Sequence, residues 1–238
     1  ITDLIKKKFP YDVVIIPFVA LALMWVIQLV SMSHPGWSLY KFGIQPREPL
    51  GLAGIFFSPF LHDADNFEHI LSNSLPFLVL SGLTIYSYRK VALKVFLWIW
   101  LVAGVWVWVF ASSKYHIGSS GVVYGLAGFL ITSGVVHRDK QAVAISLLVI
   151  LLYGSLIWGV FPMKAGVSYE SHFLGLLSGV LIALYYKGER FFEKKVYDWE
   201  REQNADENGV SFSYQDPNRP FVYTYKEEEK KGAESKTQ

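Results

Sequence analysis

The chain of 238 residues has no cysteine. That excludes disulfides, a thiolate nucleophile and any cysteine-based metal site. A charge excess of one sign is missing too. Twenty-two Lys and Arg against 20 Asp and Glu leave a formal net charge of +2, too little to suggest a nucleic-acid partner. The His and acidic residues are scattered without ligand spacing, so neither a metal nor any other cofactor is expected. No internal repeat is visible. Charge is also nearly absent from several runs of roughly twenty residues, the length needed to cross a bilayer. What fills those runs is apolar and aromatic: 52% of the chain is hydrophobic and 16% aromatic. The mean hydropathy of +0.30 stays modest because a polar tail dilutes it. The layout is that of an integral membrane protein, with the lipid bilayer as its first partner.

The apolar runs cover 13–31, 69–86, 91–111, 120–136, 142–161 and 168–186. They predict an all-α membrane protein, a bundle of six transmembrane helices. The expected organisation is a cytoplasmic N-terminal segment over 1–12, a membrane domain over 13–186 and a polar cytoplasmic tail over 187–238. The first run lacks a small-residue cleavage site and reads as a span, not a signal peptide. Residues 32–68 are too apolar for a flexible linker and too broken by Pro and Gly for a span. They read as a structured first outer loop in the membrane interface, where aromatics concentrate. Within the tail, 188–203 reads as a surface helix, 221–225 as a short strand, and the charged remainder as extended or disordered.

Lys and Arg near the span ends set the orientation. Twelve, from Lys6 to Lys195, fall on the side that holds both termini, and four (Lys41, Arg47, Lys114, Lys164) on the other. Both termini are therefore expected in the cytoplasm, with the first loop and the loops before residues 120 and 168 outside. A bacterial inner membrane is the expected setting.

Polar groups in lipid are costly and call for a partner or a purpose. Three spans carry them, all near the outer end. His69 and Asn73 open the second span, four residues apart and so on one helical face. Gly118-Ser-Ser120-Gly121 opens the fourth, with Tyr124 one turn below Ser120. His172 lies about 6 Å below the start of the sixth. Glycines mark where helices can touch: Gly121, Gly125 and Gly128 on the fourth span, Gly175 and Gly179 on the sixth. Packing along those stripes would bring His172 to Ser120. An imidazole can take the serine proton and return it to a leaving amine. His69, Asn73 and the Ser120 N–H at an open helix N-terminus suit an oxyanion. Glu170 is two residues from His172 and points elsewhere, so a Ser–His dyad is expected, with Tyr124 packing on the His172 ring. Gly118 would let the loop turn into the membrane. His34, His62, His116 and His137 read as loop residues, with His62 placed to structure the first loop.

Taken together, His69-x-x-x-Asn73, Gly118-Ser-Ser120-Gly121 with Tyr124, and Ser-His172-x-x-Gly175-x-x-x-Gly179 make the chain resemble a rhomboid intramembrane serine protease of the basic six-helix type. The resemblance spans roughly 13–186. It implies Ser120 as nucleophile, His172 as base, His69 and Asn73 as oxyanion donors, and cleavage of transmembrane protein substrates near the outer membrane face. It does not name a substrate or an oligomeric state. The chain departs from the pattern in its first loop. The family often places a Phe-x-His element with its His five residues before the His69 equivalent, whereas His62 of Phe60-Leu-His62 lies seven before. Arg47 is followed by Glu48 and has no Trp before it, and Ser171 stands where Ala is usual. Two other classes compete. A rhomboid-like pseudoenzyme would bind membrane-protein clients without cutting them, and typically lacks the Ser or the His. A small transporter would need polar groups at midplane, and the polar set here lies near one face.

Overall fold

The computed structural model describes residues 11–137, 140–163 and 166–188. The basic segment before Tyr11 lies outside the described residues. So do the surface helix expected over 188–203, from residue 189 on, and the strand expected over 221–225.

Long apolar runs with no ladder partner fold as helices, because a helix satisfies its own backbone groups where water cannot. Among the described residues five helical segments are long and apolar enough to cross a membrane. They are α1 (Asp12–Ser33), α2 (Phe67–Ser87), α3 (Ala92–Phe110), α4 (Ser120–His137), and α5 (Lys140–Tyr153) together with its continuation to Val160. A further apolar helix, α6 (Tyr169–Tyr185), has 17 residues. No strand occurs among the described residues; Ile44 and His116 form an isolated bridge. The fifth run is not one α-helix over 142–161. It is α-helical to Tyr153 and then winds as a 3-10 helix over Gly154–Val160. Gly154 and Gly159 are weak helix formers at that point.

Helix α4 packs against α2, α3, α5 and α6. The shared core includes Phe77 and Leu80 of α2, Val95 and Ile99 of α3, Leu126, Phe129 and Leu130 of α4, Val149 of α5 and Ala183 of α6. The α4–α6 contact is backbone on backbone. A Cβ at Gly175 would run into the Gly121 carbonyl, and one at Gly179 into the Gly125 carbonyl. Small residues permit this approach, and dispersion over the touching backbones holds it where lipid supplies no hydrophobic drive.

Polar side chains are not confined to three spans near one end, as the sequence suggested. Gln28 of α1 is 1% exposed and donates through Nε2 to the Asp63 carbonyl at 2.9 Å. Trp25 Nε1 donates to Ser74 Oγ at 3.1 Å, joining α1 to α2. Buried hydroxyls also occur deeper in the bundle. Thr84 donates to the Leu80 carbonyl at 2.8 Å and Ser178 to the Gly175 carbonyl at 2.6 Å. A hydroxyl that bonds back to its own helix is satisfied at any depth, so its position carries no functional signal.

Residues 34–66 run as short helical turns, among them Leu39–Phe42, Pro49–Leu52 and Gly54–Phe57. Three side-chain bonds pin them to α3 and the turn after it. Trp100 Nε1 donates to the Ile55 carbonyl at 2.6 Å, Trp108 Nε1 to the Glu48 carbonyl at 2.9 Å, and Arg47 Nη1 to the Ala111 carbonyl at 2.7 Å.

Candidate active site

The loop entering α4 makes a sharp turn at Gly118, whose φ of 107° a side chain would strain. The Gly118 N–H donates to the Ser58 carbonyl at 2.9 Å, and Ser120 becomes the first residue of α4. Ser120 is buried, and the N–H groups of this first turn have no partner within the helix.

Two side chains from the start of α2 lie over that turn. The point where a Gly118 Cβ would stand is 2.7 Å from His69 Nε2 and 3.7 Å from Asn73 Nδ2. The Asp63 N–H donates to His69 Nδ1 over 3.4 Å, which leaves the imidazole proton on Nε2, facing Gly118. Asn73 Nδ2 gives one proton to the His69 carbonyl at 3.0 Å and carries a second N–H.

The third contribution comes from α6. His172 is buried and stacks on Tyr124, with ring centroids 4.1 Å apart and planes 7° from parallel. Its Nδ1 lies 2.9 Å from the Gly159 carbonyl. Ser120, His172, His69 and Asn73 line one cavity of about 410 Å³, together with Asp63 and Tyr115. Of the other residues singled out in the sequence, Gly121, Gly175 and Gly179 sit in the α4–α6 contact, and Tyr124 stands behind the His172 ring. Glu170 accepts from the Ser112 N–H at 3.1 Å, away from His172. Such a set offers a hydroxyl, an imidazole and converging N–H donors to a bound carbonyl. That is the equipment for acyl transfer through a dyad.

Two histidines read as loop residues do lie in loops, where they are buried supports of the site. His62 is 4% exposed; its Nε2 accepts a long 3.4 Å bond from the Ser119 N–H, and its ring meets His69 edge-on at 5.1 Å. Its Nδ1 has no well-aligned partner, the Phe60 carbonyl being its polar neighbour. Burial, and then the charge of His69, push the His62 pKa down to about 3, against that carbonyl. His116 ties the Ser120 loop to α6. Its Nε2 donates to the Ser112 carbonyl at 3.0 Å, and its Nδ1 is 2.6 Å from Oγ of Ser168, the residue that caps α6. Burial lowers its pKa, opposed by the Ser112 carbonyl and Glu170 and aided by Lys114 and Arg47. Neither role shows in the sequence, because both histidines fall in loops and their partners lie more than fifty residues away.

The family model described as the Rhomboid domain matches residues 50–189. An uncharacterized protein of Mycobacterium tuberculosis is 32% identical over 175 residues, covering 68% of this chain and 70% of its own length. An uncharacterized protein of Mycobacterium leprae is 32% identical over 176 residues, covering 68% of this chain and 67% of its own.

Proposed function

The chain belongs to the rhomboid family of intramembrane serine proteases, and from that premise we propose that it hydrolyses transmembrane segments of other membrane proteins through a Ser120–His172 dyad. One observation carries the reading: Ser120, His172, His69 and Asn73, from three separate helices, line a single cavity. Ser120 Oγ attacks the scissile carbonyl as His172 takes its proton. The oxyanion receives hydrogen bonds from His69 Nε2, Asn73 Nδ2 and the Ser120 N–H. His172 then gives its proton to the leaving amine, and water hydrolyses the acyl-enzyme with the same base. No cofactor takes part.

In this reading α6 is the sixth span of the membrane domain 13–186, and the tail 187–238 is cytoplasmic. Its length of about 26 Å is slightly short of a hydrocarbon core. Both termini face the cytoplasm and the cavity opens to the outer face of a bacterial inner membrane, in keeping with the twelve-to-four Lys/Arg bias.

The test is labelling by a fluorophosphonate probe together with cleavage of a reporter transmembrane substrate in detergent or liposomes. The wild type is expected to label and cleave, and Ser120→Ala to do neither. Undiminished cleavage by Ser120→Ala would overturn the proposal. Client binding with no probe reactivity at any pH would assign the chain to the non-cleaving members instead.

A further inference from the structure

We infer that the backbone carbonyl of Gly159 fixes the tautomer and orientation of the His172 base, and that position 159 must lack a side chain to do so. The inference rests on the protease reading of the site and adds a positioning residue from a helix otherwise turned outward.

A base that takes a proton from Ser120 must present a bare nitrogen to it. Neutral imidazole has one N–H and one bare nitrogen, and its partners decide which is which. A carbonyl can only accept, so the 2.9 Å contact between His172 Nδ1 and the Gly159 carbonyl places the proton on Nδ1. Nε2 is then the bare nitrogen.

Tyr124 cannot make this choice. The two rings are stacked 7° from parallel, and a half-turn of the imidazole about its Cβ–Cγ bond returns it to the same plane while exchanging nitrogens for carbons. Stacking sets the plane, and only a directional bond sets the flip. Among the described residues no carboxylate does it: Glu170, the acid nearest in sequence, is engaged with the Ser112 N–H.

The local sequence frees this carbonyl for the task. In a 3-10 helix the Gly159 carbonyl would accept from residue 162, which is Pro162 and has no N–H. An α-helical bond would come from Met163, whose N–H instead goes to the Phe161 carbonyl at 2.8 Å. Gly159, next to last in the 3-10 segment Gly154–Val160, thus carries an acceptor that its own helix leaves unused. The missing side chain matters equally. A Cβ here would collide with the Tyr124 hydroxyl, approach Tyr124 Cζ to 3.0 Å and reach His172 Nδ1 at 3.1 Å. The segment can lie on the ring pair only because residue 159 is bare.

The experiment uses the full-length protein in detergent with three forms: wild type, Gly159→Ala, and a main-chain ester in which Val160 is replaced by its α-hydroxy acid. The ester weakens the Gly159 carbonyl as an acceptor and changes no side chain. Nitrogen-15 NMR of labelled histidine, assigned with His172→Gln, reads the tautomer where imidazoles are neutral. Cleavage kinetics read kcat and KM separately. The wild type is expected to carry the His172 proton on Nδ1. The ester is expected to lose about tenfold in kcat at unchanged KM, as for one weakened hydrogen bond. Gly159→Ala is expected to lose about a hundredfold or more and to show a mixed tautomer, since a wrong tautomer alone can cost far more. A wild-type proton on Nε2, or an ester with undiminished kcat, overturns the inference while leaving the protease reading intact. A wild type that never cleaves overturns the protease reading, and the tautomer spectrum still decides the role of Gly159.

Discussion

Helices α4 and α5 are neighbours joined by a short connection, and they are built on opposite rules. Of the 18 residues of α4 67% are buried, against 11% of an 18-residue apolar stretch of α5 and its continuation. Yet the exposed one is the more apolar of the two. Its outward residues are Leu147, Ile150, Leu151 and Leu152, whereas α4 spends four of its positions on Gly121, Gly125, Gly128 and Gly134. In water the more apolar helix would be inside. In lipid the outside is as apolar as any core, so apolar side chains mark the surface, and the centre is where glycine and serine allow backbones to meet. The catalytic candidates follow the second rule. Ser120 starts the most buried helix, and His172 lies on the helix that touches it backbone to backbone.

The contrast breaks most visibly at the α4–α6 seam. In Gly179→Val the new side chain meets the Gly125 carbonyl and backbone around Phe129, neither of which can rotate away. Overpacking of side chains costs about 1–3 kcal/mol, and meeting backbone is expected to exceed about 4 kcal/mol. Thermal unfolding in detergent should show little folded protein. A variant as stable as wild type would mean that the seam can open without cost.

The next effect is chemical and leaves the bundle standing. Asn73→Ala removes the amide N–H groups above Gly118. It is expected to lower kcat by about 10²-fold, near 2.7 kcal/mol, with folding retained, as for loss of one oxyanion donor. His69→Ala should match it or exceed it. Single-turnover cleavage rates check both, and an unchanged rate in either variant removes that residue from the proposed oxyanion site.

Ser120, His172, His69 and Asn73 could be picked out of the sequence because each is a polar residue at the end of an apolar run, where cost implies purpose. The same logic passed over His62 and His116. A loop histidine costs nothing until folding buries it, and what buries these two is chain more than fifty residues away. It also passed over Gln28, a polar residue inside α1 whose partner, the Asp63 carbonyl, lies outside any span. Gly159 was invisible for another reason. The group that matters there is a backbone carbonyl, which every residue has, and only the register with Pro162 and His172 makes it distinctive. The six apolar runs predicted helices within a few residues, except where Gly154 and Gly159 turn the end of the fifth into a 3-10 helix.

A moderate effect separates buried polar groups of the central region from exposed ones by pH. His62 is held neutral in the fold with its pKa near 3, while an unfolded chain would bind a proton near pH 6.5. Between these values the unfolded state holds more protons, so stability rises with pH and falls as the solution is acidified. The contribution is fully present above about pH 6.5, and its slope approaches about 1.4 kcal/mol per pH unit below that. Carboxylates add their own slope toward pH 4, so the window from about 6.5 to 5 is the informative one. His62→Gln is expected to flatten the dependence of unfolding midpoint on pH there. Parallel curves for variant and wild type would show that His62 is not buried neutral.

The smallest expected effect is the sharpest check on the comparison. Leu151 of α5 is 81% exposed, and Leu126 of α4 is 0% exposed. In water-soluble proteins Leu→Ala at a buried site costs about 2–5 kcal/mol, part of it transfer from water and part the cavity left behind. Within a membrane the transfer part vanishes for both sites, because the unfolded reference is also in lipid. What remains for Leu126→Ala is the cavity, and for Leu151→Ala nearly nothing, since lipid chains fill the gap. Leu151→Ala is therefore expected to shift stability by less than about 0.5 kcal/mol, and Leu126→Ala by clearly more. Unfolding of the two variants side by side in bilayer-like bicelles tests this. Equal costs would show that hydrophobic transfer, not packing, holds the bundle together, and the difference between α4 and α5 would lose its physical basis.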